Sequence, residues 1–526
     1  MDDPERSGEV GTLESPAAPN GNAACLTESA DQTQQFNDRL IRWTQYFVLL
    51  GVGLRLFRYA HALALNGDEV RVGLNIINRN WRDLLLPLDY DQVAPIGFLW
   101  CERAVYHMWG MSEYAMRFMP MLAGIATLIL FAFWARMLLR PLEAFIATGI
   151  IAVGHFIVQH AVEVKPYGSD LLASLLLLIP ATLFLLQRRD RWLLLLGVLA
   201  PITLAFSYPA VFVGGAVLIT LGLQLPRMTW RSRILFSVFG MALATSFLLI
   251  FLQISLGQLH KTNSTMVNYW VDAFPPGNPF SLLVWLVDVH TGNLFAYPVG
   301  GKHGLSILSF SLFLYGVYVW FKTYRGPAIG LLLLPFALTL IAAALRHYPY
   351  GQSERCCQHL VPAIALLLGV GGGNLIERIS KSTHRQVELA IVVAVVFLII
   401  AVGVVVSNVL QRGTSQHLAA RHFAEMLVSE AKSGATVAVL EPRDNTPAYV
   451  QWYLRTSDRI IWNGWADKTW RKTSGELYVV SSQSDPRIEQ YLNQQLGRMP
   501  ESHQTRHFEP IGPMENWNIF VYAPIR

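Results

Sequence analysis

The chain has 526 residues, of which 53% are hydrophobic and only 15% charged, against about 25% charged in ordinary soluble domains. A soluble core could not absorb that much apolar surface, so the composition points to an integral membrane protein. The net charge of +5 is small for the length and spread over loops, which speaks against nucleic acid as a partner.

Residues 1–38 are rich in Gly, Pro, Ser, Asn and acidic side chains and lack an apolar period. They are expected to form a disordered cytoplasmic tail rather than a cleaved signal. From 39 to 410 the sequence is dominated by apolar runs such as Met121–Trp134, Leu171–Leu186 and Ile391–Val406, which with their neighbours approach the roughly 20 residues needed to cross a hydrocarbon core. Basic clusters recur between them: Arg39/Arg42, Arg136/Arg140, Arg188/Arg189/Arg191, Arg227/Arg231/Arg233, Lys322/Arg325 and Arg378/Lys381/Arg385. Placing all of these on the cytoplasmic side gives one threading of about eleven spans. These are roughly 40–61, 114–138, 143–160, 168–187, 192–207, 209–225, 234–257, 304–321, 327–345, 358–376 and 387–407, with the N-terminus inside. Val93–Met111 contains Pro95, Glu102, Arg103 and His107 and is expected to lie in the interface, since a crossing there would invert every later cluster.

Residues 62–113, 258–303 and 346–357, with the turn at Glu163–Asp170, then face the non-cytoplasmic side. After the last span, residues 411–526 alternate short strand-like and helical segments, the pattern of a small α/β domain outside the cytoplasm. The four cysteines, Cys25, Cys101, Cys356 and Cys357, have no metal-type spacing and are assigned no chemistry.

Ionisable groups beside a membrane core are costly, so their clustering at one end is informative. Asp68 and Glu69 follow the first span directly. Two neighbouring carboxylates there could supply a general base, or could cap the helix that follows. Glu163 and Lys165, in a turn broken by Pro166 and Gly168, are either catalytic or a structural ion pair. Arg346, His347 and Arg355 have the chemistry of a phosphate site, with interfacial anchoring as the alternative. Lys302 and His303 offer a further cationic point. Asp89-Tyr90-Asp91 has a spacing that can hold a divalent cation through oxygen ligands, although a loop turn explains it equally.

In order along the chain, Gly67-Asp68-Glu69, Val93-Ala94-Pro95-Ile96-Gly97, Gly110-Met111-Ser112-Glu113 with Arg117, Glu163-Val164-Lys165-Pro166-Tyr167, and Glu354-Arg355 leading to Pro362 resemble the motifs of the GT-C membrane glycosyltransferases. The branch in question includes protein O-mannosyltransferases, lipid A aminoarabinose transferases and bacterial lipopolysaccharide core sugar transferases. Lys165 stands where arginine is usual, and Ala94 where relatives often carry His or Lys. The resemblance implies an all-α polytopic GT-C fold in the cell's inner (plasma) membrane. It further implies a polyprenyl-phosphate sugar donor and inverting transfer to a glycan, lipid or protein acceptor; a divalent cation is the one candidate cofactor. Asp68 would be the general base, and Glu163 would orient the acceptor or share that work. Arg355, Arg346 and Lys165 would stabilise the departing phosphate. The competing reading is a transporter or lipid flippase, which would be expected to show mid-membrane ionisable groups or broken helices.

Overall fold

A computed structural model describes residues 21–252, 268–301, 304–324, 326–380, 382–410, 415–439, 446–455, 461–464, 476–481, 492, 494, 496, 500–506 and 517–522. Helix α1 (Gly21–Ala60) is followed by α2 (Gly67–Asn78), α3 (Ile96–Trp109), α4 (Glu113–Leu138), α5 (Pro141–Val153), α6 (His155–His160), α7 (Tyr167–Gln187), α8 (Arg191–Phe206), α9 (Ala210–Gly222) and α10 (Trp230–Ile250). Then come α11 (Pro279–His290), α12 (Ser306–Thr323), α13 (Ala328–Ala344), α14 (Val361–Ile379) and α15 (Thr383–Val409). Six helical segments, namely α4, α7, α10, α12, α15 and Glu354–Ile379, are long and apolar enough to cross a membrane. The shorter apolar helices α5, α8, α9 and α13 fall on four more of the expected positions, and the C-terminal part of α1 lies on the first. The protein is a multi-pass, essentially helical membrane protein.

Local sequence explains where these helices begin. Ser112 caps α4 by accepting from the Ala115 amide at 3.1 Å, and Thr229 caps α10 by accepting from the Ser232 amide at 3.2 Å. Both satisfy amides that the first helical turn leaves without partners. Helix α3 has 14 residues, a length of roughly 21 Å at 1.5 Å per residue, short of the ~30 Å hydrocarbon core. Its length agrees with an interfacial placement. Where α12 meets α14, Gly316 and Gly371 let the backbones touch: a Cβ would lie 2.0 Å from the Leu367 carbonyl oxygen or 2.2 Å from that of Leu312. Without a hydrophobic drive between helices in lipid, such close approach by small residues holds them together.

Two expectations need correction. Half of the segment read as a disordered tail is helical, since α1 starts at Gly21 and Phe36 is buried against the bundle. The Ala, Glu and Gln residues of 21–35 favour helix without any apolar period, which is why pattern reading passes over them. The span expected at 143–160 is broken at Gly154, where φ −57° and ψ 122° leave the helical region. The His155 amide turns away to the Pro298 carbonyl (2.9 Å). The fully buried Arg55 guanidinium donates instead to the carbonyls of Ile151 (3.0 Å) and Ala152 (3.2 Å), and to Gly51 (2.9 Å). A buried cation and a broken helix, each costly in lipid, thus satisfy one another. The pairing is internal: the acceptors of the Arg55 guanidinium are backbone carbonyls of the same bundle.

Two of the basic clusters are tied into polar contacts between helix ends. Arg140 bonds Glu143 (2.5 Å) and Glu377 (2.6 Å), Asn374 donates to Glu143 (2.8 Å), Tyr324 joins the same carboxylate, and Arg188 donates to Gln224 (2.9 Å). Beyond α15, helices α16 (Ser415–Glu430) and α17 (Thr446–Arg455) accompany a five-stranded sheet. Its strands are β1 (Thr436–Val439), β2 (Ile461–Gly464), β3 (Leu477–Ser481), β4 (Ser502–Arg506) and β5 (Trp517–Tyr522), in the order β2-β1-β3-β5-β4. β1 runs parallel to β2 and β3, and β5 is antiparallel to β3 and β4. This α/β unit packs on α2 and α3, sharing one apolar core that includes Val70, Leu74, Phe98, Phe423, Val450 and Trp452. The loop that carries Asp68 and the segment after α15 therefore lie at the same end of the bundle, separated by the length of α4 from the cluster around Arg140.

Candidate active site

The polar end is organised around the first turn of α2. Asn66 is its N-cap, accepting from the Glu69 amide (3.0 Å) while Glu69 accepts from the Asn66 amide (2.8 Å), a reciprocal capping box. Glu69 does more than cap. It takes Arg117 Nε at 2.9 Å and Nη2 at 2.7 Å, and the Val164 amide at 3.0 Å. Four donors fill its two oxygens, and the Glu69 and Arg117 side chains are 2% and 4% exposed. Arg117 also donates to the carbonyl of Leu63. Glu69, expected as a second catalytic carboxylate, is therefore the buried fastener that ties α2 to α4 and to the turn at Val164. With no free lone pair and no exposure, it lacks room to take a proton from a substrate.

Asp68 points the other way. Its Oδ2 accepts from Arg355 Nη1 at 3.0 Å, its Oδ1 lies 3.5 Å from Arg71 Nη1, and its side chain stays 33% exposed. Arg355, 24% exposed, also donates to the Tyr269 hydroxyl (3.2 Å), and its guanidinium lies 5.0 Å from the Trp270 ring centre. This pair is open to solvent while everything behind it is closed. Lys165 lies behind it, buried, with Nζ donating to Gln92 Oε1 at 2.6 Å. Burial lowers the Lys165 pKa, opposed by the charge of Asp68 and reinforced by that of Arg355.

Glu163 is buried in the turn, accepting from Gln159 Nε2 (3.1 Å) and bonded to His160 Nδ1 (2.8 Å). The other side of the His160 ring faces Glu354, at 3.6 Å. Burial alone would raise the Glu163 carboxyl; the charge of His160, the hydrogen bond between them and the charge of Arg58 outweigh it and hold the group well below the usual carboxylate range. Glu354 is also held low: burial raises it, and the hydrogen bond and charge of His160 overcome that. Because Glu354 and Arg355 are adjacent in the 3-10 turn Glu354–Leu360, one turn delivers an anion to His160 and a cation to Asp68.

The structure thus brings together Asp68, Glu69, Glu163, Lys165 and Arg355. It does not bring Arg346 and His347 to them. Arg346 follows α13 in a left-handed conformation (φ 57°), both side chains are exposed, and among the described residues neither forms a hydrogen bond or ion pair with that group. Asp89 pairs with Arg79 at 2.9 Å, and Tyr90 and Asp91 form a left-handed turn (φ 60° and 52°) with Asp91 exposed. Among the described residues no group of three or more His, Cys, Asp or Glu side chains stands ready for a metal. Lys302 and His303 lie outside the described residues. Sequence reading gave no role to His160, Gln92, Tyr269 and Trp270. Of these, only His160 carried a signal: it stands three residues before Glu163, one helical turn away.

Residues 93–252 match the family model described as dolichyl-phosphate-mannose-protein mannosyltransferase. No curated protein matches the chain by sequence. In three dimensions the chain is similar to ArnT from Cupriavidus metallidurans bound to undecaprenyl phosphate, at TM-score 0.53 and 13% identity, over 91% of this chain and 98% of that one. It is also similar to the oligosaccharyltransferase of Archaeoglobus fulgidus in its apo form, at TM-score 0.48 and 12% identity, over 86% of this chain and 70% of that one. The chain is thus a multi-pass membrane protein whose fold is similar to that of ArnT and whose residues 93–252 match the mannosyltransferase family model.

Proposed function

We propose that the protein transfers a sugar from a polyprenyl-phosphate donor to an acceptor hydroxyl or amine on the non-cytoplasmic side of the membrane, with inversion at the anomeric carbon. The observation that carries this reading is the half-open Asp68–Arg355 pair (3.0 Å) set against a closed polar layer. Asp68 takes the proton of the acceptor as its oxygen or nitrogen bonds to the anomeric carbon, the general-base role open to an accessible carboxylate. The bond from that carbon to the phosphate oxygen breaks, and its electron pair leaves with the polyprenyl phosphate. Arg355 uses the donors that Asp68 and Tyr269 leave free to meet the developing charge on the phosphate, with Lys165 as a second cation. Glu163 acts through His160 and Glu354, holding the 3-10 turn that presents Arg355.

Orientation follows from the basic clusters: the one around Arg140 is separated from Asp68 by the length of α4, so the N-terminus is cytoplasmic and the site and C-terminal domain lie outside. The matched family and the ArnT structure, which holds undecaprenyl phosphate, support a lipid-linked donor. The direct test is to incubate the purified protein with a panel of polyprenyl-phosphate sugars and measure release of polyprenyl phosphate. Turnover with at least one donor is expected, and its absence across the panel, with a folded protein and acceptors of all three classes supplied, would refute the reading.

A further inference from the structure

The C-terminal α/β domain holds the helix that carries Asp68 at three points. At the N-terminal side, the Tyr453 hydroxyl accepts from the Leu65 amide (3.0 Å), one residue before the Asn66 cap. At the middle, the buried Trp452 ring lies against Gly73 so closely that a Cβ there would come within 2.6 Å of Cζ3. At the C-terminal end, the Arg455 guanidinium donates to Asn78 Oδ1. Arg421 of α16 adds a contact at the start of α4, 3.6 Å from Glu113, and lies 5.9 Å from the Tyr453 ring centre.

A 12-residue helix is marginal by itself in water, so its position is set by what it packs on. One side of α2 is fastened to the membrane bundle through Glu69 to Arg117 and Val164. The other is fastened to α17. Asp68 projects between them toward Arg355.

We infer that helix 446–455 is a brace that sets the position of Asp68, with Tyr453 and Trp452 as positioning residues, so that the soluble domain forms part of the catalytic apparatus. This rests on the reading of Asp68 as the base. A displacement of the order of 1 Å at a reacting group can lower a rate by about a hundredfold, so a brace of this kind should be felt in kcat.

The test is Gly73→Ala in the full-length protein. Alanine favours helix over glycine, so α2 itself is not weakened, but the added Cβ must displace the Trp452 ring. The expected result is a fall in kcat of at least tenfold, with the donor KM changed less than threefold. Trp452→Leu in the Gly73→Ala background removes the obstructing ring and should recover at least half of that loss. Tyr453→Phe removes one hydrogen bond only, and should speed amide exchange at Leu65 together with a several-fold drop in kcat. Wild-type kcat in Gly73→Ala, or failure of the double variant to recover, overturns the proposal. So does faster exchange at Leu65 in Tyr453→Phe with unchanged kcat. No transfer by the wild-type protein would instead remove the reading of Asp68 on which the proposal rests. That failure is told apart by amide exchange in α2, which reports the brace without any turnover.

Discussion

Replacing Asp68 with asparagine separates chemistry from architecture, because the structure divides the work between two adjacent carboxylates. The capping box belongs to Asn66 and Glu69, so an amide at 68 leaves the helix start intact. What is lost in stability is the ion pair to Arg355, whose partners are 33% and 24% exposed, and a favourable charge at the helix N-terminus. Partly screened pairs of this kind contribute up to about 1 kcal/mol, and the helix-dipole term adds roughly 0.3–1 kcal/mol. Asp68→Asn should therefore cost about 2 kcal/mol at most, leaving the protein folded and its melting temperature within a few degrees of wild type. Loss of a general base lowers turnover by about 10²–10⁴-fold, or roughly 3–5 kcal/mol of barrier. The assay is single-turnover sugar transfer at saturating donor, paired with thermal unfolding of the same preparation in detergent. Turnover within threefold of wild type, at an unchanged melting temperature, would refute the assignment and leave no free carboxylate on α2 to replace it, since both oxygens of Glu69 are occupied.

Glu69→Gln should behave in the opposite way. It strips the counter-charge from a buried arginine, a loss of about 3–5 kcal/mol, and should show as a lower melting temperature or poor recovery of folded protein; a stable Gln variant defective only in transfer would contradict the fastener role. Arg355→Ala should weaken donor use about ten- to a hundredfold, the value of a charge-assisted contact to phosphate, whereas Arg346→Ala, exposed and away from the site, should leave the donor KM within twofold. Equal effects would show that Arg355 is not the phosphate contact. Because Glu163 and Glu354 are held low in the folded state, the stability they contribute is complete above the ordinary glutamate pKa of about 4.3. It is lost as pH falls through their depressed folded values. The gap in melting temperature between wild type and His160→Gln should accordingly be widest near neutral pH and shrink below about pH 4; a gap that stays constant or widens on acidification would exclude the His160 bridge.

How much of this was legible in the sequence depends on the range over which each feature is determined. Most of the spans were readable because apolarity over some 20 residues is a local property that lipid enforces; six described segments are long and apolar enough to cross, and among the described residues a helix lies within each expected stretch, at 143–160 as two pieces. The break at Gly154 was not, since apolar residues continue through it and the groups that make it tolerable, Arg55 and Pro298, are distant in sequence. Nor could sequence separate Asp68 from Glu69. Successive helical residues point about 100° apart, and the partners that decide their fates lie elsewhere: Arg117 and Val164 for Glu69, 48 and 95 positions on, and Arg355 for Asp68. Arg346 and Arg355 look equivalent as cations near a helix start, yet only the second lies on the turn that His160 draws toward Glu163.

The same logic says where function sits. Charges at the edge of a bilayer are tolerated when their hydrogen-bonding capacity is used up. Here Glu69 is saturated by four donors, Glu163 is held between Gln159 and His160, and Arg55 fills the gap in a broken helix. Against that closed layer, an acid and a base with spare capacity and access to solvent are the exception. Closing the layer around Glu69 and Glu163 does not need the Asp68–Arg355 pair to be open, and that openness is what a reaction at the membrane surface requires.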